Sequence, residues 1–386
     1  MLGEYKNNKA RIPEGIQKLK SEKNIYLYGN ADYAKRMFDV LNRFQIEIKG
    51  VLVSREYWRE EIFYNNVVYK AEEFFENTHE SIVLVAGFDI RIHKELLDRL
   101  IAEKFVKTIY VLNGCEIFWN NWNYVPDSKV FLIDNYYGGV IERNLNYEYF
   151  MDNRKNFQQT YIWLEDEKSR KTMLDYLRGH IELTNFPMRE VWKVADVENQ
   201  YFPEDIIQLK EDEIFVDCGA YTGDTLEIFL EKSKGYKKYY ALEPDKRRFQ
   251  ELNEKLRKNV IHVPVGAWYK KAQLSFSFES TCGEIVKEKR VELERIDADQ
   301  IDNIIDNNEK VTFIKMDIEG AELSALYGAK ETIERNKPTL AICVYHKRED
   351  LITIPQYIKK LVPEYKLYLR AHFPYASELV IYGIYE

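Results

Sequence analysis

Residues 216–225, VDCGAYTGDT, close an apolar run that begins at Ile214 and open an amphipathic stretch near Thr225. The run reads as a buried strand ending on a carboxylate, Asp217, then a tight turn, then a helix. Such a junction presents free backbone N–H groups and a carboxylate to a small, nucleoside-like ligand. Gly219 and Gly223 permit positive φ and close approach of a ligand, which a Cβ would hinder. Alone this is a weak fingerprint, because many βα turns carry two glycines only to pack helix on strand.

The segments that follow strengthen it. YYALE at 239–243 is an apolar run ending on Glu243, followed by Pro244 and Asp245 and by a helical pattern with Phe249, Leu252 and Leu256 on one face. An acidic residue at the end of the second strand sits where it accepts hydrogen bonds from a ribose diol. VTFIKMDIEGAELSALYGA at 311–329 is a further buried strand whose end is crowded with Asp317, Glu319 and Glu322, and LAICVYHKRED at 340–350 delivers His346 beyond the end of another. In an open α/β sheet the carboxyl ends of the strands share one rim where ligands bind, so positions 217, 243, 317 and 346 are expected to converge. YKLYLR at 365–370 and ELVIYGIYE at 378–386 read as two strands forming an antiparallel edge.

The ordered set VDCGAYTGDT, ALEPD, VPVGAW, IKMDIEGAEL, KP and VYHKRED resembles the FkbM-type methyltransferases over roughly residues 201–386, with IKMDIEGAE its most specific part. The resemblance implies a seven-stranded class I methyltransferase sheet and S-adenosyl-L-methionine as cofactor. It implies that Asp217, Gly219 and Gly223 cradle the methionine part, with Ala220 and Tyr221 in the same turn. By the same resemblance Glu243 holds the ribose beside Asp245, and Gly266, Ala267 and Trp268 lie near the adenine. Asp317 either contacts the amino acid end of the cofactor or serves in catalysis. Tyr221 departs from the family pattern, which commonly has a small polar residue there.

The N-terminal half does not share this resemblance. KNIYLYGN at 23–30 is a strand ending on Gly29, ADYAKRMFDVL a helix, IEIKGVLVS a second strand, and SIVLVAG and KTIYVLN later strands, which predicts a Rossmann-like unit of about five strands. Its turn has one glycine followed by Asn30, Ala31 and Asp32, and no acidic residue ends its second strand, so dinucleotide binding is not expected. A scaffold or substrate-docking role is the favoured reading, with a sugar nucleotide or glycan as the ligand of the alternative. The expected fold class is therefore α/β with two Rossmann-like units. The expected domains are 1–125, a helical and aromatic-rich connection at 126–200, and a methyltransferase domain at 201–386. The connection holds Tyr136, Tyr137, Tyr147, Tyr149, Phe150, Tyr161 and Trp163, rings expected mostly to pack as core, with helical periodicity in RKTMLDYLRGHIEL and an exposed turn at Tyr136-Tyr137-Gly138-Gly139.

Composition sets limits. The chain has 386 residues, more than one core usually covers, and 45% hydrophobic content, enough for two. With 56 Lys+Arg against 64 Asp+Glu the formal net charge is −8, which argues against a general nucleic-acid binder. Cys115, Cys218, Cys282 and Cys343 are far apart and form no CxxC pair, so neither disulfides nor a structural zinc is expected and a reducing cytoplasm fits. No secretory signal and no membrane span is apparent, and the sequence gives no oligomeric state.

Methyl transfer to an alcohol needs a base for the hydroxyl proton. His346 is the first candidate, because an imidazole suits proton acceptance near neutral pH, and Asp317 is the second. Glu322 could equally favour the start of its helix through the dipole. Asp317, Glu319, Glu322 and His346 are also a conceivable hard-metal set, but carboxylate-rich strand ends are common without metal and none is expected. His79, His93, His180, His262 and His372 lack ligand spacing, His372 least clearly since it lies just before the last strand. Two functions follow. One is an O-methyltransferase acting on a small-molecule or glycan acceptor, a sugar hydroxyl above all. The other is a non-catalytic docking or assembly module on a degenerate methyltransferase fold. The intact acidic strand ends favour the first.

Overall fold

The computed structural model describes residues 5, 14–88, 94–113, 129–134, 147–181, 199–248, 257–277, 284–285, 293–372 and 378–386. The Tyr136–Gly139 turn, the helical face of Phe249, Leu252 and Leu256, and Cys115, Cys282 and His93 lie outside them. The described residues fall into two compact units, one within 5–142 and 178–194, the other within 143–177 and 195–386. Among the described residues no helix is long and apolar enough to cross a membrane.

In the first unit, β1 (Ile25–Tyr28), β2 (Gly50–Val53), β3 (Ile62–Phe63), β4 (Asn66–Lys70), β5 (Ile82–Ala86), β6 (Val106–Asn113) and β7 (Val130–Asp134) form one sheet in the order β3-β4-β2-β1-β5-β6-β7. All neighbours run parallel except the β3–β4 pair. β2 and β5 are buried at every position, as strands covered on both faces must be. Alternate residues feed opposite faces: Leu27, Val51 and Val85 join one core cluster, Tyr28, Leu52 and Leu84 the other. The sheet has seven strands rather than the five expected. Beyond the four strand segments quoted from the sequence stand β7 and the β3–β4 hairpin, which turns on Tyr64 and Asn65 at φ +46° and +64° with no glycine to announce it. Gly29, at φ +118°, is a packing glycine, since a Cβ there would stand 2.6 Å from the carbonyl oxygen of Gly87.

In the second unit, β8 (Glu213–Cys218), β9 (Tyr236–Leu242), β10 (Val260–Val263), β15 (Phe313–Met316), β16 (Thr339–Cys343), β17 (Lys366–Ala371) and β18 (Leu379–Ile384) form a seven-stranded sheet in the order β10-β9-β8-β15-β16-β18-β17. Only β18 runs antiparallel to its neighbours, slotted between β16 and the edge strand β17. The strand order reverses at β8, which pairs with β9 on one side and β15 on the other, and this switch point opens a crevice at the carboxyl ends. One face is packed by rings: Phe215 stacks on Tyr239 at 4.8 Å and on Phe313 at 4.5 Å, one ring from each of three adjacent strands.

A second, four-stranded sheet was not anticipated. It comprises β11 (Gly266–Ala267), β12 (Ala272–Ser277), β13 (Glu284–Ile285) and β14 (Leu293–Asp299), in the order β11-β14-β12-β13. Of the 126–200 stretch, the described helices Tyr147–Asp152 and Arg154–Trp163 belong to this second unit. There Phe150 packs on Phe157 at 5.6 Å, and the Thr160 hydroxyl donates to the Leu351 carbonyl at 3.1 Å. The helical periodicity around residue 170 corresponds to the helix Glu167–Ile181.

Candidate active site

The turn after β8 is built by close backbone packing. Gly219 sits at φ +81°, and a Cβ on it would lie 2.0 Å from the carbonyl oxygen of Asp317 at the end of β15. Gly223, at φ +85°, starts the helix Asp224–Lys232. Tyr221 between them also adopts a left-handed conformation, φ +48°, as does Glu319 at +54° in the facing DIEG turn. Such conformations on residues with a Cβ concentrate at functional sites.

Beneath the turn lies a buried charge pair. Asp217 is fully buried, its Oδ2 accepts the Tyr239 hydroxyl at 2.6 Å, and its Oδ1 stands 2.9 Å from Lys315 Nζ. Lys315 also donates to the Gly219 carbonyl at 2.7 Å and lies over the Tyr201 ring at 4.9 Å. Burial opposes the charge on Lys315, but the Asp217 and Asp317 carboxylates outweigh it and hold its pKa above the ordinary value. Lys315 was not among the expected site residues, although a lone cation inside the apolar run VTFIKMD was a visible signal. An ion pair of this kind clamps the turn and leaves Asp217 no exposed edge.

Above the turn opens a cavity of about 450 Å³, within the range of small-molecule sites. Of the expected site residues, Gly219, Tyr221, Glu243, Asp245, Gly266, Ala267 and Asp317 line it, whereas Asp217, Ala220, Gly223, Trp268 and His346 are not among its lining residues. Glu243 is nearly buried: its Oε2 accepts the Tyr221 N–H and its Oε1 the Asp245 N–H, both at 2.9 Å. Burial pushes the pKa of Glu243 up to about 7 despite these donors. Each oxygen keeps a lone pair free for a ligand hydroxyl. Arg248 lies 3.6 Å over the Tyr221 ring and 3.3 Å from Asp245, adding a planar, cationic wall at the same end. Ala267 and Ile296 of the four-stranded sheet, with Leu274, supply the apolar side. Trp268 instead extends this sheet through its backbone, whose N–H donates to the Asp299 carbonyl at 2.9 Å.

The other end of the cavity is acidic and phenolic. Asp317 Oδ2 accepts the Tyr201 hydroxyl at 2.7 Å, and the Tyr345 hydroxyl stands 3.4 Å from both Asp317 and Glu378. Gln200 donates to Glu378. Gln200, Tyr201, Tyr345 and Glu378 all line the cavity. None was expected from the sequence, although Tyr345 directly precedes His346 in VYHKRED; Gln200 with Tyr201, and Glu378, come from separate segments. His346 lies just behind this wall, its Nε2 3.6 Å from Asp317 and 3.3 Å from Glu319, its Nδ1 3.0 Å from Glu322. Burial works against a charge on His346, yet Glu322, Glu319 and Asp317 prevail and raise its pKa well above the ordinary value. Burial would likewise raise Asp317, but His346, Lys315 and Tyr201 hold it below the usual carboxylate range. The remaining described histidines stand apart from the cavity; His372, for one, is buried with its Nε2 2.7 Å from the Tyr382 hydroxyl.

Strand, glycine turn, nearly buried carboxylate and switch-point crevice are thus assembled on one rim, and residues 217–366 match the sequence pattern of the methyltransferase FkbM domain. The match lies wholly within the second unit. Among solved structures, the chain is similar to methyltransferase FkbM from Methylobacillus flagellatus KT, with 23% identity, a TM-score of 0.64, and coverage of 97% of this chain and 94% of that one. That likeness extends the shared fold beyond the methyltransferase domain to nearly the whole chain. An rRNA methylase from Streptococcus thermophilus aligns over 46% of this chain and 90% of its own at 14% identity, with a TM-score of only 0.31. Among curated proteins none matches the sequence.

Proposed function

We propose that the protein is an S-adenosylmethionine-dependent O-methyltransferase acting on a hydroxyl, that of a sugar in a surface glycan or related metabolite above all. The carrying observation is Glu243, a nearly buried carboxylate whose two oxygens each hold one backbone N–H and retain a lone pair toward the cavity. That is the form a ribose diol requires. S-adenosylmethionine would supply an electrophilic methyl group on its sulfonium. Glu243 and Asp245 would hold its nucleoside, with Gly266, Ala267 and Ile296 against the base, and the Gly219–Tyr221 turn and Asp317 its amino acid end.

The chain's own contribution at the reacting end is to orient an acceptor hydroxyl and take its proton. Asp317, which lines the cavity, is the residue we assign there, with His346 supporting it from behind at 3.6 Å and Tyr201 and Tyr345 fixing the carboxylate from two sides. Phenolic rings and carboxylates at this end match a polyhydroxylated acceptor, which they can meet by hydrogen bonds and ring contact. The test is transfer of labelled methyl from S-adenosylmethionine to a panel of sugars, glycans and non-sugar alcohols. Label in a hydroxyl-bearing acceptor supports the reading, whereas calorimetry showing no affinity for the cofactor would leave the fold as a docking module.

A further inference from the structure

At the acidic end of the cavity, the ligating atoms of Asp317, Glu322 and His346 lie within 4.8 Å of one another, the single such group among the described residues. Glu322 is fully buried at the first turn of the helix Glu322–Tyr327. Its Oε1 accepts the N–H groups of Ile318 and Gly320, at 2.9 and 3.3 Å, and faces His346 Nδ1, while its Oε2 has no hydrogen-bond partner. A buried carboxylate oxygen left without a donor is costly, which points to a missing ligand.

Neither neighbouring lysine supplies one. Lys315 is committed to Asp217 and Gly219, and Lys347 to the Gly320 carbonyl. Glu319 adds a third carboxylate beside the imidazole, 3.3 Å from Nε2. We propose that Asp317, Glu322 and His346 form a divalent-cation site at the acceptor end of the cavity. Mixed carboxylate and imidazole donors suit a first-row ion such as Mn²⁺ rather than Ca²⁺. The proposal rests on the reading of this end as the acceptor's. Held here, the cation would neutralise the carboxylates in place of the proton on His346. It would also acidify an acceptor hydroxyl that completes its coordination.

The test uses the full chain, stripped with a chelator and titrated with Mn²⁺ while free Mn²⁺ is followed by electron paramagnetic resonance. One saturable site per chain is expected, weakened at least about tenfold by Glu322→Gln and by His346→Gln. Glu322→Gln keeps an acceptor for the Ile318 and Gly320 N–H groups, and circular dichroism confirms that each variant is folded. No saturable binding by the native protein, or equal binding by both folded variants, overturns the proposal. Mn²⁺ binding without any methyl transfer would leave the cation site standing and the methyltransferase reading refuted; undiminished transfer by protein that binds no Mn²⁺ would do the reverse.

Discussion

Replacing Glu243 by glutamine tests the cofactor reading most directly. The native carboxylate accepts one N–H on each oxygen and has one lone pair on each for a ribose hydroxyl. Glutamine keeps one acceptor, but its amide NH₂ must face a backbone N–H. The change therefore removes the charge from both ligand bonds and one bond entirely. Charge-assisted hydrogen bonds contribute about 1.5 kcal/mol or more each, so S-adenosylmethionine affinity should fall by about 2–3 kcal/mol, some 30- to 150-fold. The native protein should show the same dependence through pH. With the Glu243 pKa at about 7, only its ionised form serves the diol, and affinity should weaken about 30-fold by pH 5.5. This limb should vanish in Glu243→Gln. The sign for stability is opposite. A carboxyl raised from 4.5 to about 7 binds its proton more tightly in the folded state, so its ionisation costs about 3 kcal/mol of stability as pH rises across that window. Ligand binding to the ionised form offsets part of this, so the cofactor should raise the melting temperature more at pH 8 than at pH 6. Calorimetry giving the variant native affinity, or a flat native profile from pH 5.5 to 8, would refute the assignment.

Two further substitutions probe the neighbouring parts. Lys315→Met strands Asp217 without its counter-charge and should cost about 3–5 kcal/mol in urea unfolding, most of it recovered in the Asp217→Asn/Lys315→Met double variant; a loss below about 1 kcal/mol would show that the pair does not hold the turn. His346→Ala should lower methyl-transfer turnover about 10²-fold while cofactor affinity stays within about threefold, with His262→Ala as the unaffected comparison; a normal rate would shift the proton to Asp317 alone.

The parts of the site carried by short sequence intervals were legible. Positions 217, 243, 317 and 346 end or follow apolar runs, and the rule that strand ends share a rim predicts their convergence: Glu243 and Asp317 line the cavity, while Asp217 lies beneath the turn and His346 behind the wall. Asp217 shows the limit of that reading: a strand-end carboxylate can face inward, and only the register that pairs Asp217 with Lys315 reveals it. Tyr201 reaches Asp317 from 116 residues away, and Glu378 joins through Tyr345 from a different strand, so no local spacing rule groups them. Arg248, by contrast, follows Glu243 by five positions and carries no signal beyond the helical pattern around it. The four-stranded sheet was hidden because its strands are half polar. In LERIDAD only Ile296 and Ala298 are buried among the described side chains, an alternation that was present but not recognised.

The reversed strand β18 has a bearing on how the molecule is made. It enters the sheet between β16 and β17, and Glu378 stands at its threshold. During synthesis β16 therefore leaves the ribosome with an open, largely apolar edge, TLAIC, whose permanent neighbour emerges about forty residues later. At elongation rates of about 5–20 residues per second, that edge waits for several seconds. In that interval β17 is the strand on offer, and pairing it directly against β16 would be a register trap that excludes β18 and leaves the cavity without Glu378. Completion of the site is thus a late event in the life of the nascent chain, and the β16 edge is where a chaperone would find it.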